Sequence, residues 1–267
     1  MPTIQINNHE MYYEIHGEGE PVVCMGGWGT FAHGNEKLLA RGLTDEYQVL
    51  VFDYRGIGDS SDDLNVTPSM KMHANDLIGL LDHLQWKNVH MIGLVGMGCC
   101  VAQEVAIQRN DLVRTMVNMG AWVFCDTYLY DQLKLFRDVH RDSGFLTFQQ
   151  FVSIYSFLPE YYNENRDNLL GENAGWKELN GNLVTHERLV EACLNHDVRE
   201  QLCEIQAPCL IIHAAKDLVT GPRTTMPIEE GIPNAIGVTM EDVAHVVAGK
   251  EQKIAFCKIL FEFLVYV

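Results

Sequence analysis

Two kinds of apolar pattern alternate along the chain. A continuous apolar run occupies residues 22–25, and mostly apolar runs occupy residues 47–52, 89–92 and 113–119. Runs of this length, bounded by turn residues, read as strands buried on both faces. Between them, residues 72–85 carry Leu77, Ile78, Leu81 and Leu84 at helical spacing, with Asp76 and Asp82 on other faces. A second helix is predicted over residues 99–109, after the third run and a glycine-rich turn. Two short strands, residues 4–6 and 11–15, open the chain with Asn7 and Asn8 as the turn between them. Strands alternating with helices predict an α/β fold with a doubly wound, mostly parallel sheet.

Past residue 122 the rhythm changes. Aromatic-rich helical segments are predicted at residues 128–140, 147–157 and 187–203, punctuated by Pro159, Gly171, Gly175 and Gly181. A buried strand returns at residues 209–213, introduced by Pro208, and an amphipathic helix over residues 252–264 closes the chain. Three segments follow from this: core residues 1–122, a helical insertion over 123–205, and core residues 206–267.

A chain of 267 residues with 47% hydrophobic and 21% charged content suits one large domain with a sizeable core. The net charge of −17 argues against nucleic acid and against an anionic membrane as partners. No apolar run approaches the length that spans a bilayer, and residues 1–5 do not resemble a signal peptide. None of the eight cysteines falls in a C-x-x-C pair or a zinc-spaced Cys/His cluster, so no metal is expected. Seven of them, Cys24, Cys193, Cys203, Cys209 and Cys257 included, have apolar sequence neighbours, and buried free thiols suggest a reducing, cytoplasmic setting.

The stretch Gly93-Leu94-Val95-Gly96-Met97-Gly98-Cys99-Cys100 joins a predicted strand to a predicted helix. It resembles the nucleophile elbow of the α/β-hydrolase superfamily, whose usual form is Gly-x-Ser-x-Gly. No serine is present. Counting back from the helix puts Gly96 in the nucleophile slot, and counting forward from the strand puts Val95 there, so the turn reads as one residue longer than usual. Gly96 is favoured because Met97 and Gly98 then match the pattern too. The resemblance covers nearly the whole chain. Gly26-Gly27-Trp28 stands where the family has His-Gly-aromatic, and Asp53-Tyr54-Arg55-Gly56-Ile57-Gly58-Asp59-Ser60 matches a turn of structural value. The insertion falls where the family commonly carries a helical cap.

The resemblance also implies site residues. Asp217, in the loop after residues 209–213, matches the family's acid, and His245 matches its histidine. Such a pair fixes the imidazole tautomer and stabilises the imidazolium formed on proton transfer. The backbone N–H groups of Trp28 and Met97 would form the oxyanion hole, and Gly27, Trp28 and Trp122 would touch substrate. The segment around Trp122, the cap length and the loop Lys216-Asp217-Leu218-Val219 look most like aminoacrylate (carbamate) hydrolases and enol-lactonases, and aminoacrylate hydrolases can lack the elbow serine. Cys99 and Cys100 follow Gly96 inside the first helical turn. There a helix N-terminus lowers thiol pKa, yet the side chain points away from the elbow tip.

Four readings stay open. His245 activates water in a serine-free hydrolase acting on a small ester, lactone, amide, carbamate or C–C bond, with a water held between His245 and the N–H groups of Trp28 and Met97. Alternatively, Gly96 is an engineered replacement of serine. Third, His245 is the acid/base of a lyase or decarboxylase. Last, the chain is a non-catalytic binding or scaffold protein, against which the retention of Asp217 and His245 counts. In the enzyme readings the partner is a small-molecule substrate, no cofactor is implied, and a homodimer stays open.

Overall fold

The computed structural model describes residues 3–266. In chain order the strands are β1 (Thr3–Ile6), β2 (His9–His16), β3 (Glu20–Met25), β4 (Tyr47–Phe52), β5 (Val89–Leu94), β6 (Val113–Met119), β7 (Cys209–Ala214) and β8 (Ala235–Met240). The helices are α1 (Leu43–Glu46), α2 (Met70–Leu84), α3 (Met97–Gln108), α4 (Thr127–Ser143), α5 (Phe145–Ser156), α6 (Pro159–Leu169), α7 (Leu183–Leu194), α8 (Pro222–Gly231) and α9 (Lys250–Tyr266). One sheet has the order β1-β2-β4-β3-β5-β6-β7-β8. β1 and β2 pair antiparallel, as do β2 and β4, whereas β3 to β8 run parallel.

Alternate residues of a strand face opposite sides of a sheet, and both sides here are covered. Val23, Met25, Leu50, Met91 and Met116 pack with α2 and α3 through Leu77, Leu80, Leu81 and Val101. Val22, Cys24, Val49, Val51, Ile92 and Val117 pack with α1 and α9 through Leu43, Phe256, Leu260 and Phe263. Two-sided burial is why these strands lack polar alternation. The fold is that of a doubly wound α/β protein.

Four elements depart from the sequence pattern, each for a physical reason. β8 is an edge strand with Gly237 at its middle and only Met240 buried, so it has no apolar run. α8 contains Pro227 and threonines, which hide its helical character. α6 buries no residue and so shows no apolar stripe. The helix expected over residues 187–203 is two elements: α7 ends at Leu194, and a 3-10 helix covers Arg199–Glu204. Between them Val198 N–H donates to the Val123 carbonyl at 2.9 Å, and Asp197 bridges Phe124. This contact joins the two ends of the insertion and takes the chain out of helical geometry. Cys203, expected among apolar neighbours, lies exposed on that 3-10 helix.

Candidate active site

Because β3, β5, β6, β7 and β8 are parallel, their C-terminal ends share one edge, the usual place for ligands in such sheets. The loops that follow these strands carry Gly27 and Trp28, Val95 and Gly96, Trp122, Asp217, and His245 respectively. Sites distant in sequence are thereby brought together.

The turn after β5 is held by Val95, whose N–H donates to the Met119 carbonyl at the end of β6 (2.9 Å). Val95 and Gly96 both have positive φ, 56° and 80°. For a β-branched residue that is a strained conformation, costing about 1–3 kcal/mol. Gly96 (ψ −107°) directly precedes α3. A Cβ there would lie 3.3 Å from Trp122 Cζ3 and 3.6 Å from Cη2. The space expected to be polar thus has an indole edge as one wall. Gly27 passes so close to this turn that a Cβ on it would lie 2.8 Å from the Val95 carbonyl oxygen, which demands glycine. Met97 opens α3, so its N–H has no intrahelical partner and sits at the positive end of the helix.

The Asp217 carboxylate is fully buried, and its Oδ2 lies 2.9 Å from His245 Nδ1. Its Oδ1 accepts the N–H groups of Val219 (2.7 Å) and Thr220 (2.9 Å), and the Thr220 hydroxyl donates to Oδ2 at 3.1 Å. Thr220 Oγ1 also lies 3.1 Å from His245 Nδ1. Burial pushes the Asp217 carboxyl up, but the charge and hydrogen bond of His245, with the two N–H donors, outweigh it and hold the group below the usual carboxylate range. An ionised carboxylate only accepts, so Nδ1 is the ring nitrogen that donates to Asp217, which leaves Nε2 as the one available to a substrate or water. The following residue, Val246, donates its N–H to the Ser156 carbonyl at the end of α5 (3.0 Å), fastening this loop to the insertion.

A cavity of about 260 Å³ lies between this edge and the insertion. Gly27, Trp28, Val95, Gly96, Met97, Trp122 and His245 all line it. The insertion adds apolar walls from Leu133 and Phe136 of α4, Val152 of α5, and Trp176. No lysine, arginine, aspartate or glutamate is among the lining residues.

Cys99 and Cys100 are buried, with their thiols directed at the carbonyls of Met119 (3.2 Å) and Trp122 (3.6 Å). Burial pushes Cys99 up to about 12 and Cys100 well above its ordinary value, so neither is a thiolate at neutral pH. The turn over residues 53–60 has a structural role. Asp53 Oδ2 accepts from Asp59 N–H (2.9 Å), and the Ser60 hydroxyl donates to the Asp53 carbonyl (2.9 Å). Arg55 pairs with Asp76 of α2 at 2.6 and 2.8 Å. The insertion docks here as well: Asn182 donates to the Gly56 carbonyl (2.9 Å), and Arg188 of α7 pairs with Asp62 (2.6 Å).

Thr220 and Ser156 escaped the sequence reading. A hydroxyl three residues after an aspartate is the one local signal for Thr220, as a side-chain-closed turn; Ser156 had none. Among the described residues one set of potential metal ligands, Glu14, His16 and Glu36, has donor atoms within 4.8 Å of one another. None of the three lines the cavity.

A protein assigned as the carbamate hydrolase RutD in Azorhizobium caulinodans is 26% identical over 245 residues, covering 92% of this chain and 91% of its own. MGS-M2, an alpha/beta hydrolase from a Medee basin deep-sea metagenome library, superposes with a TM-score of 0.86 at 21% identity, over 98% of this chain and 97% of its own. The enol-lactonase of Burkholderia xenovorans LB400 superposes with a TM-score of 0.81 at 21% identity, over 99% and 100%. The family model of the alpha/beta hydrolase fold matches residues 20–251, and the chain belongs to that family.

Proposed function

We propose that this chain is a hydrolase of a small, neutral carbonyl compound, and that His245 activates the attacking water without a nucleophilic side chain. Family membership and relatives named as hydrolases carry the general activity. One observation carries the finer reading: His245, held by Asp217, lines an otherwise uncharged cavity together with Gly96 and Met97 at the start of α3.

In this reading Nε2 of His245 takes a proton from water as the oxygen attacks the carbonyl, and Asp217 stabilises the imidazolium that forms. Developing negative charge on the carbonyl oxygen falls to the N–H groups of Met97 and Trp28, the former at a helix N-terminus. The imidazolium then returns its proton to the leaving group. A cavity without a cationic side chain, in a chain of net charge −17, disfavours anionic substrates and favours neutral esters, lactones or carbamates. The contact between Gly96 and Trp122 supports a glycine native to this site over a substituted serine, because the ring stands where a side chain would enter.

Turnover of small esters, lactones and carbamates in heavy-oxygen water tests this. The expected result is solvent oxygen in the product acid, loss of about 10²- to 10⁴-fold in rate for His245→Ala, and no covalent labelling by a fluorophosphonate. Retained turnover in His245→Ala overturns it. Cleavage without incorporation of solvent oxygen would make the chain a lyase, and ligand binding without turnover would make it a binding protein.

A further inference from the structure

His245 Nδ1 has two oxygen neighbours. Asp217 Oδ2 lies 2.9 Å from it and Thr220 Oγ1 3.1 Å, and the two oxygens are 3.1 Å apart. Thr220 and the Asp217 side chain are both 0% exposed, so water does not compete for these bonds. The capacities of the atoms leave one arrangement. An ionised carboxylate only accepts, and a threonine hydroxyl has one proton and two lone pairs. The Thr220 proton therefore goes to Asp217 Oδ2, and a lone pair of the same oxygen faces the Nδ1 proton. That proton is shared between two acceptors in a three-centre bond. The backbone closes the same edge of the ring. A Cβ on Gly120, just after β6, would lie 3.3 Å from His245 Cε1, 3.4 Å from Nδ1 and 3.3 Å from Thr220 Oγ1.

On the basis that His245 is the base of a hydrolytic site, we propose that Thr220 is a positioning residue, whose hydroxyl sets the plane of the His245 ring and thereby the direction of Nε2. One hydrogen bond to Asp217 fixes a distance but lets the ring pivot about the N–H axis. A second acceptor off that axis removes the pivot. Thr220 does not line the cavity, so it acts through His245 alone. When Nε2 takes a proton, positive charge spreads to Nδ1–H, and its bonds to both oxygens strengthen. The contact with Thr220 is therefore worth more in the transition state than in the resting enzyme, which places its effect on kcat.

Thr220→Val keeps the branched shape and loses the hydroxyl, whereas Thr220→Ser keeps the hydroxyl. With p-nitrophenyl acetate, we expect Thr220→Val to lower kcat about ten- to hundredfold with KM within about twofold, and Thr220→Ser to stay within about threefold of the parent. A readout free of turnover is the nitrogen–proton correlation signal of His245 Nδ1 in protein with isotope-labelled histidine, identified by its absence in His245→Ala. A ring with a shared proton gives a sharp signal in the parent and in Thr220→Ser, and a broadened or lost one in Thr220→Val. An unchanged kcat or an unchanged signal in Thr220→Val overturns the proposal, as does a Thr220→Ser protein as impaired as Thr220→Val. Should Thr220→Val not fold, Thr220→Cys, with a weakly bonding thiol, takes its place under the same expectations. If the parent itself turns over no ester, lactone or carbamate, the hydrolytic reading fails by itself, and the Nδ1 signal alone decides whether Thr220 holds the ring.

Discussion

Replacing Gly96 by serine probes the centre of the site. The added Cβ falls 3.3 Å from Cζ3 and 3.6 Å from Cη2 of Trp122, so the ring, which borders the cavity, must give by a few tenths of an ångström. The backbone at φ 80° and ψ −107° is one that residues with a Cβ adopt only under strain. Strain of about 1–3 kcal/mol and overpacking of similar size together give a loss of about 2–6 kcal/mol. That is a large share of the ~5–15 kcal/mol typical of a domain. At about 2–4 °C per kcal/mol, the melting temperature should fall by roughly 4–24 °C. Urea denaturation measures the loss, and fluorophosphonate labelling with turnover assays reports the chemistry, where no gain is expected. Gly96→Ser with Trp122→Leu separates the two contributions: if the ring contact dominates, the pair loses less than the sum of the singles. A Gly96→Ser protein as stable as its parent, labelled stoichiometrically and orders of magnitude more active, would refute this reasoning and identify Gly96 as a replaced serine.

Asp217 has a folded-state pKa below its unfolded value, so its contribution to stability is full above the unfolded pKa and is lost as pH falls through the folded one. His245→Ala removes the charge and bond that lower it while burial remains, and urea titrations between pH 2 and 5 (roughly the carboxylate range) should show acid loss beginning at a higher pH. Burial pushes His73 down to about 3, so stability declines as pH falls from its unfolded pKa of about 6.5 toward that value. The slope per buried neutral imidazole is at most about 1.4 kcal/mol per pH unit, and His73→Leu should flatten the measured profile. Asp76→Ala leaves the Arg55 guanidinium buried without its carboxylate and should cost about 3–5 kcal/mol by urea denaturation, far more than an exposed pair would.

Sequence alone was enough for the architecture wherever burial leaves a local trace. Strands covered on both faces are predominantly apolar, which made the central strands legible together with α2, α3 and α9. The family resemblance put Asp217 on the loop after residues 209–213 and His245 on a later loop. Elements without a local burial signal were invisible. β8 has one buried residue, α6 has none, and the break after α7 depends on a bond from Val198 to Val123 across the whole insertion. The same limit applies to the site. Whether Val95 or Gly96 precedes the helix depends on two successive residues at positive φ, which the Val95–Met119 bond holds in place. That Trp122 stands against Gly96, that Thr220 joins Asp217 and His245, and that Val246 bonds the Ser156 carbonyl are relations between distant segments. A side chain's partners are set by where the parallel sheet and the insertion bring separate loops together, and only tertiary structure decides that.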